Sequence, residues 1–267
     1  MKVVSAAADR LRPDVGGVVV LLYHRVGGGS TLEIDLDASR FDEQIAAVAT
    51  QRALALGDAL AELATPTARN ASGPGESAIV VTFDDGTADF VDVALPILVR
   101  HHVPVTLYLA TDFVEGGSSA FPGGARALSW SALQDACSTG LVNVGSHTHS
   151  HRLLDRTPGG EAADELDRSI DLIGSNLGVK PLDFAYPKAV AGSAEVVPLV
   201  RERFRSAALA GTRVNPFGTT DPYRLARSPI QVSDGMQFFE RKLAGGMALE
   251  DSLRRAMNRV RYARAGT

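Results

Sequence analysis

The sequence predicts an α/β fold whose parallel strands close into a barrel, and three observations carry that prediction. Short apolar runs rich in β-branched residues alternate with amphipathic segments of helical length along the whole chain. That is the pattern of strands that pair in parallel through right-handed crossovers. The runs number seven or eight, enough for a sheet to close on itself. The residues able to carry chemistry gather just after these runs, at the strand ends where a parallel barrel presents its working groups. With 267 residues and 45% hydrophobic content, the chain can bury a large core as one domain.

Taken in order, Met1 to Asp14 holds Lys2, Asp9, Arg10, Arg12 and Asp14 and lacks the continuous apolar core of a secretory signal. Residues 1–17 therefore read as an N-terminal extension, 18–235 as the barrel, and 236–267 as a helical segment packed on it. Residues 18–23 are the first strand, ending in His24 and a loop, Gly27 to Gly29, rich in glycine. Residues 41–49 form an amphipathic helix with Ser39 as its cap. Residues 54–56 are a short strand, 58–63 a helix, and 66–77, with Pro, Gly, Ser and Asn, a surface connection. Residues 90–102 have a helical pattern bent at Pro96, and His101 and His102 end it on the surface. Residues 105–109 are a strand, and 116–127 a glycine-rich excursion that is either a flap or a long loop. A capping box, Ser131-Ala-Leu-Gln134, opens the next helix, in which Cys137 faces the core. Residues 161–177 are strongly helical, with Leu166, Ile170, Ile173 and Leu177 on one face. Residues 182–185, 207–210 and 230–232 read as strands, 194–204 and 238–264 as helices.

Two stretches carry the chemistry. Residues 79–83, Ile-Val-Val-Thr-Phe, end in Asp84, Asp85 and Gly86. Asp-Asp-Gly is also ordinary turn chemistry. Side chains alternate along a strand, so both aspartates cannot enter the core, and side by side they repel until a cation or a shared proton intervenes. Residues 144–151, Val-Gly-Ser-His-Thr-His-Ser-His, place three of the six histidines within five residues. His147 and His151 are four apart, which brings two imidazoles to one side of a helical turn or tight loop. Two imidazoles and one carboxylate, with a position left open for water, suit zinc-type hydrolysis. His24 ends the first strand as the aspartates end theirs, and a structural role fits it equally well.

Thr82-Phe-Asp-Asp-Gly86 and Ser146-His-Thr-His-Ser-His151 resemble the first two motifs of the polysaccharide deacetylases, carbohydrate esterase family 4 with its NodB homology domain. Phe184-Ala-Tyr-Pro187 resembles the third motif. Leu22-Tyr-His-Arg-Val26 resembles the subgroup in which the catalytic order is permuted, which includes the poly-N-acetylglucosamine deacetylases of biofilm synthesis. The resemblance spans residues 18–232 and implies a single-domain, distorted (β/α)7 barrel. It implies a metal held by Asp85, His147 and His151, with Asp84 as the general base toward the attacking water. It further implies His24 as the acid for the departing amine, and an oxyanion donor near Tyr186 and Lys188. The chain departs from the pattern in three places. Ala185 stands where the family has the arginine that orients its base, and Lys188-Ala189 where it has an aromatic residue and a glycine. No histidine follows His151, so the late leucine-x-histidine motif is absent. Arg227 is the candidate replacement partner of Asp84, with an arginine on a sheet edge as the alternative. His149 reads as a loop-stabilising hydrogen-bonder.

The function so implied is metal-dependent removal of N-acetyl groups from a sugar: an amino-sugar precursor, an oligosaccharide or a polysaccharide. Zinc leads among the metals, and cobalt, nickel and iron suit the same ligands. The alternatives are a carbohydrate-binding barrel impaired in turnover, on the strength of the altered third motif, and the same apparatus acting on a formamide or a cyclic imide. A net charge of −4 predicts no nucleic-acid partner. No run is long enough to cross a bilayer, and with the single cysteine this makes a cytoplasmic protein the expectation. Such a location points toward sugar precursors as substrate, and one tryptophan argues against a long stacking groove for polymer. Arg254, Arg255, Arg259, Arg261 and Arg264 make the C-terminal segment basic. It is either a solvated face or a patch meeting anionic lipid or a phosphate-bearing substrate.

Overall fold

Seven parallel strands close on themselves in the computed structural model, which describes Lys2 and residues 16–65, 77–116 and 124–248. They are β1 (Gly17–Tyr23), β2 (Ser77–Asp85), β3 (Val105–Leu109), β4 (Val142–Ser146), β5 (Asp183–Ala185), β6 (Ser206–Ala210) and β7 (Leu225–Pro229). Each pairs with the next around the barrel, and β1 pairs with both β2 and β7, which seals it. Among the described residues, eight α-helices are placed around and between the strands: α1 (Ala38–Ala49), α2 (Leu56–Leu63), α3 (Leu95–Arg100), α4 (Thr111–Val114), α5 (Trp130–Ser138), α6 (Gly159–Leu177), α7 (Val196–Arg203) and α8 (Gly235–Leu243). Alternation along the strands sorts the core into two layers. Val19, Leu21, Val81 and Phe83 face outward onto Phe41, Ile45 and Leu98 of the helices. Val18, Val20, Val80, Tyr108, Ala185 and Ala208 face inward, joined by Leu56, Ala59 and Leu63 of α2. The inward parity of β2 continues through Thr82 to Asp84, which is how an acid enters an otherwise apolar interior.

Several elements differ in detail from the sequence reading. Ser39 lies inside α1, and Asp37 occupies the cap position without a side-chain bond. The short strand expected at 54–56 is Arg52–Ala53, because Leu56 already starts α2. Ser129 caps α5, accepting the Ala132 N–H at 3.2 Å, two residues before the expected capping box. A π-helical turn, Phe90–Ala94, precedes Pro96, so the missing proline N–H falls at the start of α3 and not in mid-helix. The last strand is β7 and not residues 230–232. An arginine, a serine and a proline interrupt its apolar pattern, and a closed barrel supplies the burial that the residue types do not advertise. Arg227 therefore lies between β1 and β6 inside the barrel, not on a sheet edge. The helix expected over 238–264 begins at Gly235 and stops at Leu243, followed by Gly245 with φ 76°. The arginines from Arg254 onward, most of the 66–77 connection and residues 117–123 of the glycine-rich excursion lie outside the described residues. No helix among the described residues is long and apolar enough to cross a membrane.

Candidate active site

The barrel mouth begins with Asp84. It is buried, and Arg227 grips it through two bonds, Nη1 to Oδ1 at 2.6 Å and Nη2 to Oδ2 at 2.8 Å. Such a fork-to-carboxylate pair fixes both direction and charge. Arg227 is itself held by the Leu209 carbonyl (3.3 Å) and the Thr82 hydroxyl (3.4 Å), with its guanidinium 5.1 Å from the Tyr108 ring centroid. Gly145 makes room for that ring, since a Cβ there would stand 2.6 Å from Tyr108 Cδ1. Burial pushes the Asp84 carboxyl up, but the charge of Arg227, then His147, the Arg227 hydrogen bonds and His24 outweigh it, and the pKa falls to about 2. Asp84 is therefore an anion at neutral pH.

Asp85 ends the same strand with φ 77°, a left-handed value unusual for a residue with a side chain. Across from it, β4 runs into His147 and a loop in which Thr148 (φ 66°) and His151 (φ 58°) are also left-handed. His147 Nδ1 lies 2.7 Å from the Ala185 carbonyl oxygen. A carbonyl only accepts, so Nδ1 carries the proton and Nε2 presents a lone pair. That Nε2 is 3.7 Å from Asp85 Oδ1 and 3.7 Å from Asp84 Oδ2, and His151 Nε2 is 3.5 Å from Asp85 Oδ1. One ligand atom each from Asp85, His147 and His151 lie within 4.8 Å of one another, the one such group found among the described residues. Burial lowers the pKa of His147; burial and the neighbouring His147 lower that of His151 to about 4. Both imidazoles are thus neutral at pH 7, the state that ligates. Two neutral imidazoles and a carboxylate with converging lone pairs fit a divalent ion of the zinc class.

The remaining predicted residues divide. His24 follows Tyr23, which pairs with Phe83, so it stands beside Asp84. It is half-buried, and its Nδ1 is enclosed with no partner among the described residues. His149 is not in the ligand group: its Nδ1 meets the Thr111 hydroxyl at 2.9 Å and its Nε2 stands 3.6 Å from Asp112. Tyr186, expected on the substrate side, is a core residue. Its ring packs on Phe184 at 5.0 Å, and its N–H donates to the Ala208 carbonyl at 3.1 Å. The N–H is thus taken up in pairing at the end of β5 and is not free for an oxyanion. Lys188 is exposed with φ 54°, followed by Ala189 with φ 56°, so the loop holds two consecutive left-handed residues without glycine. The Lys188 N–H carries no hydrogen bond among the described residues. Two contributors escaped the sequence reading: the Ala185 carbonyl, which has no side-chain signature, and Tyr108. Strand pairing would have found Tyr108, since it stands opposite Asp84 in the β2–β3 ladder.

Residues 71–201 match the family model for polysaccharide deacetylase. No curated protein matches the chain. Among solved structures, IcaB from Ammonifex degensii is 22% identical over 85% of this chain and 97% of its own, with a TM-score of 0.71. The Streptococcus pyogenes deacetylase PplD, solved with acetate, is 18% identical over 86% and 99%, with a TM-score of 0.67. A de-N-acetylase from Aggregatibacter actinomycetemcomitans is 16% identical over 84% and 99%, with a TM-score of 0.66. At these identities the structures establish a shared barrel.

Proposed function

Because this chain carries a polysaccharide deacetylase domain at residues 71–201, we propose that it is a metal-dependent hydrolase that removes an acetyl group from an N-acetylated sugar. One observation carries the reading: a convergent Asp85–His147–His151 group stands beside Asp84, a buried carboxylate whose pKa is held down to about 2. Hydrolysis breaks the amide C–N bond, delivering hydroxyl from water to the acyl carbon and a proton to the amine. Asp84 takes a proton from the attacking water, and Arg227 holds both its oxygens so that it presents one fixed face. A carboxylate with a pKa near 2 is a poor base toward ordinary water. When bound, a divalent ion supplies the missing acidity, lowering the pKa of water to about 7 and polarising the carbonyl. The Lys188 N–H is the donor for the developing oxyanion, in a loop pre-bent by two left-handed residues. His24 gives the proton to the departing amine, a role supported by its position beside Asp84 and by the likeness of its Tyr-His motif to the permuted subgroup.

Residues 18–235 form the catalytic barrel in this reading, and zinc is the resident ion. Cytoplasmic residence and a sugar-precursor substrate belong to the same proposal, supported by the single cysteine and the scarcity of aromatic stacking surface. The test is acetate release from a panel of N-acetylated sugars. Release is expected with added zinc or cobalt, and none after chelation. His24→Ala is expected to lower turnover by roughly two to four orders of magnitude while metal content stays at the wild-type level. A protein that binds metal yet releases no acetate from any N-acetylated sugar would instead be the impaired carbohydrate-binding barrel.

A further inference from the structure

We infer that Glu165, in the middle of α6, is the positioning residue that sets the geometry of the His147–His151 pair. The inference rests on the metal-site reading above. His147 still donates its N–H to the Leu109 carbonyl at 2.9 Å, but the loop beyond it to His151 has no regular strand pairing, and Thr148 and His151 hold φ of 66° and 58°. Residues other than glycine keep such conformations only where their surroundings impose them. Glu165 does the imposing. Its Oε2 accepts the Ser150 N–H at 2.8 Å, its Oε1 accepts the Ser150 hydroxyl at 2.7 Å, and its main-chain carbonyl accepts the His149 N–H at 3.1 Å. One helical residue thus takes three hydrogen bonds from the two residues that precede His151.

The opposite side of the loop is held by α4. The Asp112 N–H donates to the His149 carbonyl at 2.9 Å, and the Thr111 hydroxyl meets His149 Nδ1 at 2.9 Å. These contacts stop at His149, whereas Ser150, the neighbour of His151, is reached by Glu165. A recess lined by Arg152, Glu161, Asp164 and Arg168 surrounds the Glu165 carboxylate. Even so, among the described residues it forms no ion pair and spends both oxygens on the loop. An ionised acceptor makes shorter and stronger hydrogen bonds than a neutral one, which is what a strained loop of ligands requires.

The test is metal affinity of the full-length apo-protein for zinc and cobalt(II), measured by competition with a chelator, alongside the cobalt absorption spectrum. Glu165→Ala is expected to weaken binding by roughly 10- to 100-fold, the range for groups that orient metal ligands, and to alter the cobalt spectrum. Glu165→Gln keeps one good acceptor and is expected to fall between. Asp167→Ala, two residues along α6, cuts an exposed bond to Arg203 without touching the loop, and its affinity is expected to equal wild type. Equal affinity in wild type and Glu165→Ala overturns the inference, as does an equal loss in Asp167→Ala. Should Glu165→Ala fail to fold, Ser150→Ala with Glu165→Gln decides, and undiminished affinity in both overturns it. A wild-type protein that binds neither ion sinks the metal site itself, a result distinct from the failure of Glu165 alone.

Discussion

Asp84 with Arg227, inside the barrel, and Asp234 with Lys242, where α8 meets the end of β7, are both buried acid–base pairs, yet they are built for different ends. Asp234 is saturated by partners. Lys242 Nζ and Lys2 Nζ each stand 2.7 Å from it, and it accepts the Gln231 N–H at 2.8 Å. Lys242 in turn donates to the Pro229 carbonyl at 2.8 Å, tying the helix to the strand end. Asp84 has one partner, and beyond it lie titratable groups: His147 Nε2 at 3.7 Å and, within electrostatic reach, His24. Burial is shared and so is a lowered carboxyl pKa. Neither property marks a working site. What marks it is an anion oriented on one side and left with convergent, uncommitted lone pairs on the other.

The largest expected effect separates the two acids by activity. Asp84→Asn keeps the shape but removes the proton acceptor, and acetate release per folded molecule should fall by roughly 10²- to 10⁴-fold. Asp234→Asn should leave turnover of the folded fraction unchanged and lower only the fraction folded. Steady-state rates normalised to folded protein by circular dichroism read both, and equal losses in turnover would break the comparison.

Removing the cations should bring the difference out. Arg227→Met strands Asp84 in the interior, which costs about 3–5 kcal/mol. Lys242→Met leaves Asp234 its bonds from Lys2 Nζ and the Gln231 N–H and should cost less, both read by urea denaturation. Arg227→Lys sharpens the contrast. A lysine restores charge but cannot span both oxygens of Asp84, so stability should return further than acetate release does. A lysine that restores both would mean that the charge of Arg227 matters and its fork does not.

Much of the site was legible because its chemistry is local in sequence. Asp84 and Asp85 are adjacent at a strand end, and His147 and His151 are four apart in one loop, so spacing alone suggests a shared site. The same holds for the fold, where unbroken apolar runs such as Val18 to Tyr23 identify strands. Legibility fails where an interaction spans the chain. Arg227 was named only as one of two readings, because its bond to Asp84 crosses 143 residues and its strand, Leu-Ala-Arg-Ser-Pro, lacks an apolar pattern. Glu165 was not legible at all: on a helix rich in acids, nothing local distinguishes the one carboxylate that turns toward the ligand loop. Tyr186 is a related case: the sequence shows an aromatic residue beside a motif, while the pairing that takes up its N–H is a matter of strand register.

The smallest effect lies on the acid side, and its sign follows from the Asp234 carboxyl. Burial raises its pKa, but the charge of Lys242 and the hydrogen bonds from Lys2, Lys242 and Gln231 bring it below the ordinary 3.8. The folded state therefore binds fewer protons than the unfolded one in this range. The stabilisation is complete above pH 3.8 and drains away as pH falls through the folded value. Asp84, with a pKa of about 2, follows the same sign. Urea midpoints measured from about pH 6 down to pH 2 should thus fall less steeply in Asp234→Asn than in wild type just below pH 3.8, the span over which the unfolded Asp234 protonates first. Parallel curves would mean that Asp234 takes up its proton alike in both states, and the saturated pair at α8 would then contribute nothing that depends on its charge.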